Sequence, residues 1–479
     1  MNFLDIASSA ASSFVKKKNS SFAKGETPDI PAAKPIILKN SGDKYFVGYA
    51  SCNVMPEDLC QKSYWMAGYS IGNKIKGVLD ELTISAMYLD TPGGEGIVYV
   101  CCDLIGMTRA DVNTIRHSLD GFCEKCGCKF IMISCSHTHA GIDTVGYWGQ
   151  LPKSGRNPKY MTLIGGAIKY VCFSAYKNRK EGTLYRGDVH APEYISDWRE
   201  PYFLDDRLTR IRFVPDDGSA ETWLINYSAH PNTLGGKNNL VSADYPGFMR
   251  ERIKETEDVN VLFTAGAIGS IDLKFEGAED NLDRATKGGR ALGELAIAIT
   301  NDEKLSGNIT IINQEFIYPG DNTVLCLMDS LGVIKTVKCP CDSDSGIALI
   351  SEMTYVNIGS FNMLAVPGEI FPELVWDGGY ADAEHSTTGD GPEINPIPLS
   401  KILGDDRLVI FGVTDDMTGY VVAPNDFILH PTQPYLSRCK DRFGRGHYQE
   451  TNSLGPRSAI AYSDACKVIA DTLKNINKE

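Results

Sequence analysis

The most constraining stretch of this chain is residues 129–141, KFIMISCSHTHAG. The apolar run over 130–135 reads as a strand, and it stops abruptly at Ser136-His137-Thr138-His139, with a glycine soon after. Residues two apart on an extended backbone point to the same side. A strand continuing through this stretch would therefore turn His137 and His139 into one space. Two imidazoles there suit a metal ligand and a neighbouring proton acceptor. They equally suit two strand-end side chains bonded to backbone, and the HxH spacing alone leaves both readings open.

The rest of the chain repeats this arrangement. Alternating or continuous apolar runs predict strands over 45–50, 82–89, 97–102, 208–214, 222–228, 259–264, 361–366 and 407–413. The runs at 208–214 and 222–228 form a hairpin across Asp216-Asp217-Gly218. Apolar residues at helical spacing predict helices over 107–122, 160–176, 245–254, 283–299 and 458–475. Residues 307–356 read as strands and turns with no assignable chemistry. Several strands run directly into a metal-capable or ionisable residue: His137 and His139, then His230, then Glu369 after Pro367-Gly368, then Tyr420. In an α/β sheet such residues gather in the crevice beyond the strand ends. Each could instead cap a strand or start a helix, but four such placements favour a shared site. The expected fold is α/β, with mixed sheets packed with helices in one large catalytic domain and a metal site at the strand ends.

Composition narrows the function. A net charge of −14 argues against nucleic acid and against an anionic membrane surface as partners. No run approaches the roughly 18 apolar residues of a transmembrane segment. The N-terminus places its Lys16-Lys17-Lys18 cluster after a weakly apolar part and has Asp5 where a secretory signal is basic. A flexible tail over 1–36 and a cytoplasmic location are therefore expected, with the 14 cysteines as reduced thiols. Cys123, Cys126 and Cys128 together with Cys339 and Cys341 could form a four-thiolate zinc site, with ordinary buried or surface thiols as the default.

Five segments, SHTHAG, NYSAHPNTLG, VPGE, TGYVVAP and HYQETNSLGP, resemble signatures of the neutral, non-lysosomal ceramidase family and occur in that family's order. The likeness runs from about Phe46 to the C-terminus. It implies a Zn²⁺ amidohydrolase that cleaves a linear N-acyl amide, ceramide or a related small N-acyl compound of sphingolipid metabolism, by attack of a metal-bound hydroxide. Carried over by position, His137, His230, Glu369 and Tyr420 are the implied metal ligands, and His139 the base. Tyr448 is the implied oxyanion donor beside the scissile bond, and Arg199, in SDWREP, a second one.

The chain also departs from the family. In Gly269-Ser270-Ile271-Asp272-Leu273, Asp272 stands where ceramidases carry a serine, and Ser270 lies two residues earlier. Asp272 is therefore retained as a catalytic candidate, while a serine acyl-enzyme is disfavoured and a metal-based route is not affected. The expected catalytic domain covers 37–479, without the immunoglobulin-like domain that follows it in ceramidases. Two other functions remain open: a zinc esterase or lactonase on a soluble metabolite, and a metal-binding protein without turnover.

Overall fold

The strands Thr83–Asp90 and Gly96–Cys102 are buried along nearly their whole length, so both faces of the sheet holding them must be covered. The computed structural model describes residues 3–59, 61–377, 383–387, 389 and 396–476. The larger sheet has the order Val259–Ala265, Glu221–Tyr227, Arg207–Pro215, Lys180–His190, Tyr45–Asn53, Thr83–Asp90, Gly96–Cys102, Cys128–Cys135. Its outermost pairs are parallel, Glu221–Tyr227 with Val259–Ala265 and Gly96–Cys102 with Cys128–Cys135, and the pairs between them are antiparallel. The expected hairpin forms, with Leu224 opposite Ile211.

A second sheet has the order Ile36–Leu38, Ile309–Pro319, Ile347–Ile358, Phe361–Ala365, Val409–Phe411. The sheets face one another across a layer to which the first contributes Met87, Tyr99, Phe213 and Leu262, and the second Ile311, Val356, Met363 and Phe411. Helices cover the outer faces. Pro158–Lys177 and Tyr245–Thr256 pack on the first sheet, and Arg457–Ile476 on the second. The molecule is thus a mixed α/β domain, as expected, and its layers run helix, sheet, sheet and helix.

Two segments differ from the sequence reading. Within the expected flexible tail, Phe3–Asn19 is a helix packed on Thr323–Ser330. Val15 is fully buried there, and the Asn19 side chain donates to the Ser345 carbonyl at 3.0 Å. Its four serines are weaker helix formers than its alanines, so propensity alone does not reveal it; the docking surface does. The strands expected within 307–356 are the two longest of the second sheet, paired from Ile309 with Ile358 to Pro319 with Ala348, but Thr323–Ser330 between them is a helix where strands and turns were expected.

The larger sheet curls until its two edges meet. Seven inter-strand steps at about 20–25° each accumulate to well over a right angle. Residues 412–415 wedge between the edges. Gly412 N donates to the Ala265 carbonyl at 2.8 Å, and Cys135 N donates to the Val413 carbonyl at 3.1 Å. Ser134 Oγ and Thr264 Oγ1 then lie 3.1 Å apart. Residues following the Cys128–Cys135 strand and residues following the Glu221–Tyr227 strand are thereby delivered to one place.

Candidate metal centre

The Cys128–Cys135 strand ends before the histidines. Ser136 N donates to the Cys102 carbonyl at 2.8 Å and His137 N to the Leu104 carbonyl at 3.0 Å. His137 itself takes a left-handed backbone with φ of 66°. The expectation that an extended backbone aims both rings is therefore incorrect. A turn does it instead, and the Nε2 atoms of His137 and His139 come to 3.2 Å. His139 N donates to the Pro231 carbonyl at 2.9 Å, which ties this turn to the next histidine loop. His230 Nε2 lies 2.8 Å from His139 Nε2.

Glu369 enters from the second sheet. Gly368, at φ of 101°, sits where a Cβ would come within 2.6 Å of the Gly419 carbonyl oxygen, so only glycine allows the close parallel pairing of Glu369 with Tyr420. That pairing puts both side chains on one side. Glu369 Oε2 lies 3.4 Å from His137 Nε2 and 3.7 Å from His230 Nε2. The Tyr420 hydroxyl is 3.1 Å from that of Tyr448. Gly68 makes the opposite wall. A Cβ there would come within 2.4 Å of His139 Cγ, and the next residue, Tyr69, meets the His139 ring edge-on at 5.0 Å.

The donor set fits a divalent cation. His137 Nδ1 lies 2.6 Å from the Ile105 carbonyl and His230 Nδ1 3.2 Å from the Ile268 carbonyl. A carbonyl only accepts, so each Nδ1 carries the hydrogen and each Nε2 presents a lone pair to the centre. Glu369 Oε2 is buried there without a hydrogen-bond donor. Burial, followed by the neighbouring imidazoles, holds His139 well below the ordinary histidine range, and burial with His137 brings His230 down to about 4. Imidazole Nε2 atoms beside a buried carboxylate oxygen form a set of ligand atoms of the kind that holds a metal ion. Among the described residues, the group of ligand-capable side chains that could hold a metal ion is His137, His139 and His230. The cysteines do not form the four-thiolate site: Cys339 is buried in the strand Lys338–Pro340 of the second sheet, whereas Cys123, Cys126 and Cys128 lie beside the first.

His137, His139, Glu369 and Tyr420 line a cavity of about 600 Å³, together with Tyr69, Trp148, Asn232, Asp272 and Tyr448. Solved structures contain the same architecture. A crystal structure of neutral ceramidase from Pseudomonas aeruginosa matches at a TM-score of 0.66 and 15% identity, over 90% of this chain and 75% of that one. A structure described as ceramidase complexed with C2 matches at the same TM-score and identity, over 90% of this chain and 76% of that one. The fold is that of neutral ceramidase. No family model matches the chain, and no curated protein does.

Within this ceramidase-like fold, Asp272 faces the cavity and Ser270 does not. Asp272 Oδ1 accepts from Asn232 Nδ2 at 2.8 Å, and burial raises its carboxyl above the usual range. Tyr448 stands at the mouth, its ring stacked on Trp198 at 5.5 Å and 8°, its phenol pushed by burial up to about 12.

Arg199 is not delivered to the centre. Its guanidinium is 5% exposed, with Nε on Asp426 at 2.6 Å, Nη1 on Gln449 at 2.8 Å and Nη2 on Glu450 at 2.6 Å. With these donors committed, an oxyanion role is not available to it. Its partners Gln449 and Glu450 directly follow Tyr448, so it braces that loop.

Sequence reasoning missed Tyr69, Asn232 and Trp198. Asn232, two residues past His230, and Trp198, beside Arg199, lie within motifs already singled out. Tyr69 lies in a loop without any such signal.

Proposed function

We propose that this chain is a zinc-dependent hydrolase of N-acyl amides, with ceramide or a related N-acyl compound as substrate. The observation that supports the reading is a cluster of three imidazole Nε2 atoms, those of His137 and His230 within 3.7 Å of a buried Glu369 oxygen, beside a cavity whose walls include Leu325, Ile334 and Leu349. His137, His230, Glu369 and Tyr420 would hold the ion. A bound divalent ion supplies Lewis-acid polarisation and makes water more acidic.

The protein side chains do the remaining work. The acyl chain lies against Leu325, Ile334 and Leu349, which excludes water from that end of the cavity. His139 Nε2, neutral through burial, accepts the proton of the attacking water and passes it to the leaving nitrogen. Tyr448 keeps its hydroxyl hydrogen and donates it to the oxyanion. Asp272, held by Asn232, accepts the N–H of the scissile amide. The acyl C–N bond breaks, a C–O bond forms, and a carboxylate and an amine leave.

A second reading is favoured by one distance. His139 Nε2 is as close to His230 Nε2 as a hydrogen bond, so His139 fits a third imidazole ligand as well as a base. The proposal is tested by turnover of matched acyl amides and esters, before and after chelation and with zinc restored. Amide cleavage that disappears on chelation and returns with zinc supports it. Ester-only cleavage redirects it to an esterase, and unchanged turnover in chelator removes the metal from the reaction.

A further inference from the structure

Beside this cavity lies a second hollow of about 870 Å³, and the two share Trp198, Arg438 and Tyr448 as a common wall. The Arg438 guanidinium lies 5.1 Å from the centroid of the Tyr448 ring. Arg438 and Lys440 are both exposed and line the second hollow, and neither pairs with a carboxylate among the described residues. The other cations on this wall are already matched. Arg199 is taken by Asp426 and Glu450, and Arg445 by Asp441 and Glu200. Among the described residues that line it, Glu200 is the one carboxylate, and Arg445 pairs with it at 2.9 Å. His430 is on the same wall.

Two cations without a carboxylate partner among the described residues, lining a hollow next to the site, are notable in a chain of net charge −14. Surplus negative charge elsewhere repels an anion, so a local positive wall gives a direction to its approach. The two cavities differ in kind. Leu325, Ile334 and Leu349 line the first and are absent from the second. An acyl chain therefore belongs to the first, and the amine side of the scissile bond passes Tyr448 towards Arg438.

We propose that Arg438 and Lys440 form a subsite for an anionic group on the leaving amine, a carboxylate, sulfonate or phosphate, so that the preferred substrates are N-acyl derivatives of acidic amines. This rests on the N-acyl hydrolase reading for the direction of the substrate. A guanidinium offers a fork of parallel donors to such a group, and Lys440 adds a point charge. Tyr448 and Trp198 form the passage between the reacting carbonyl and this subsite.

The test uses three probes with one acyl chain, N-octanoylglycine, N-octanoyltaurine and the neutral N-octanoylethanolamine, each below its micellar concentration so that no lipid surface contributes. Calorimetric titration into His139→Ala protein reads binding without turnover, and kcat/KM on the wild type reads cleavage. The acidic probes are expected to bind at least tenfold more tightly than the neutral one. That ratio falls below twofold in Arg438→Glu/Lys440→Glu protein, while Arg438→Lys retains a preference. If the double variant does not fold, Arg438→Gln alone is expected to lower the ratio at least threefold. A neutral probe that binds equally well, or a ratio that survives charge reversal, overturns the subsite. Selective binding of the acidic probes without cleavage by the wild type supports the subsite and removes the hydrolase reading instead.

Discussion

The Nε2 atoms of His139 and His230 lie 2.8 Å apart, although 91 residues separate them in the chain. Neither local motif fixes this contact. It follows from a sheet whose edges meet through residues 412–415, so that turns after two remote strands share one space. Glu369 and Tyr420 arrive from the other sheet through their own short parallel pairing. A centre built this way depends on the closure of the whole domain.

His139→Ala separates base from ligand. In the proposed role of base, His139 would be dispensable for binding the ion. The variant should keep its metal and lose roughly 10²–10⁴ in kcat. Metal analysis beside turnover checks this, and loss of the metal would assign His139 to the ligand set.

Arg199→Leu should act through the fold and the Tyr448 loop. Removing the guanidinium leaves Asp426 and Glu450 buried without their cation, a loss of roughly 3–5 kcal/mol. Denaturant unfolding should show that loss. Tyr448 fluorescence is masked by Trp198, so altered protection of the 448–450 amides in hydrogen exchange provides the local readout.

How much of this was legible in the sequence varies by element. The positions of His137, His230, Glu369 and Tyr420 could be read because an apolar strand that ends on an ionisable residue is a local pattern. The aim of the His137 ring could not, because a left-handed residue breaks the two-residue alternation. Arg199 was misread because a short polar motif does not reveal that Asp426 and Glu450, more than 200 residues away, take up its donors. The helices Phe3–Asn19 and Thr323–Ser330 pack on each other, a surface that one-dimensional patterning does not contain.

Glu373 should give the protein a pH-dependent stability. It is buried near Arg199, with Oε2 lacking a partner, and burial, joined by the charges of Asp197 and Asp426, pushes its carboxyl up to about 8 from 4.5. The folded state therefore keeps a proton that the unfolded chain releases. The contribution is complete below about pH 4.5, falls as pH rises, and is lost by about pH 8. Glu373→Gln should flatten that slope and be more stable than wild type at the alkaline end, as checked by urea unfolding from pH 5 to 9. An unchanged slope would place the proton elsewhere.

The central claim is that side chains from both sheets grip one ion. The most direct measurement is metal content by mass spectrometry of wild-type protein purified without added metal, beside His137→Ala and Glu369→Gln. Close to one zinc per chain is expected in the wild type and a small fraction of that in each variant. Equal zinc in all three proteins, or a wild type that turns over its substrate without any metal, would contradict the account.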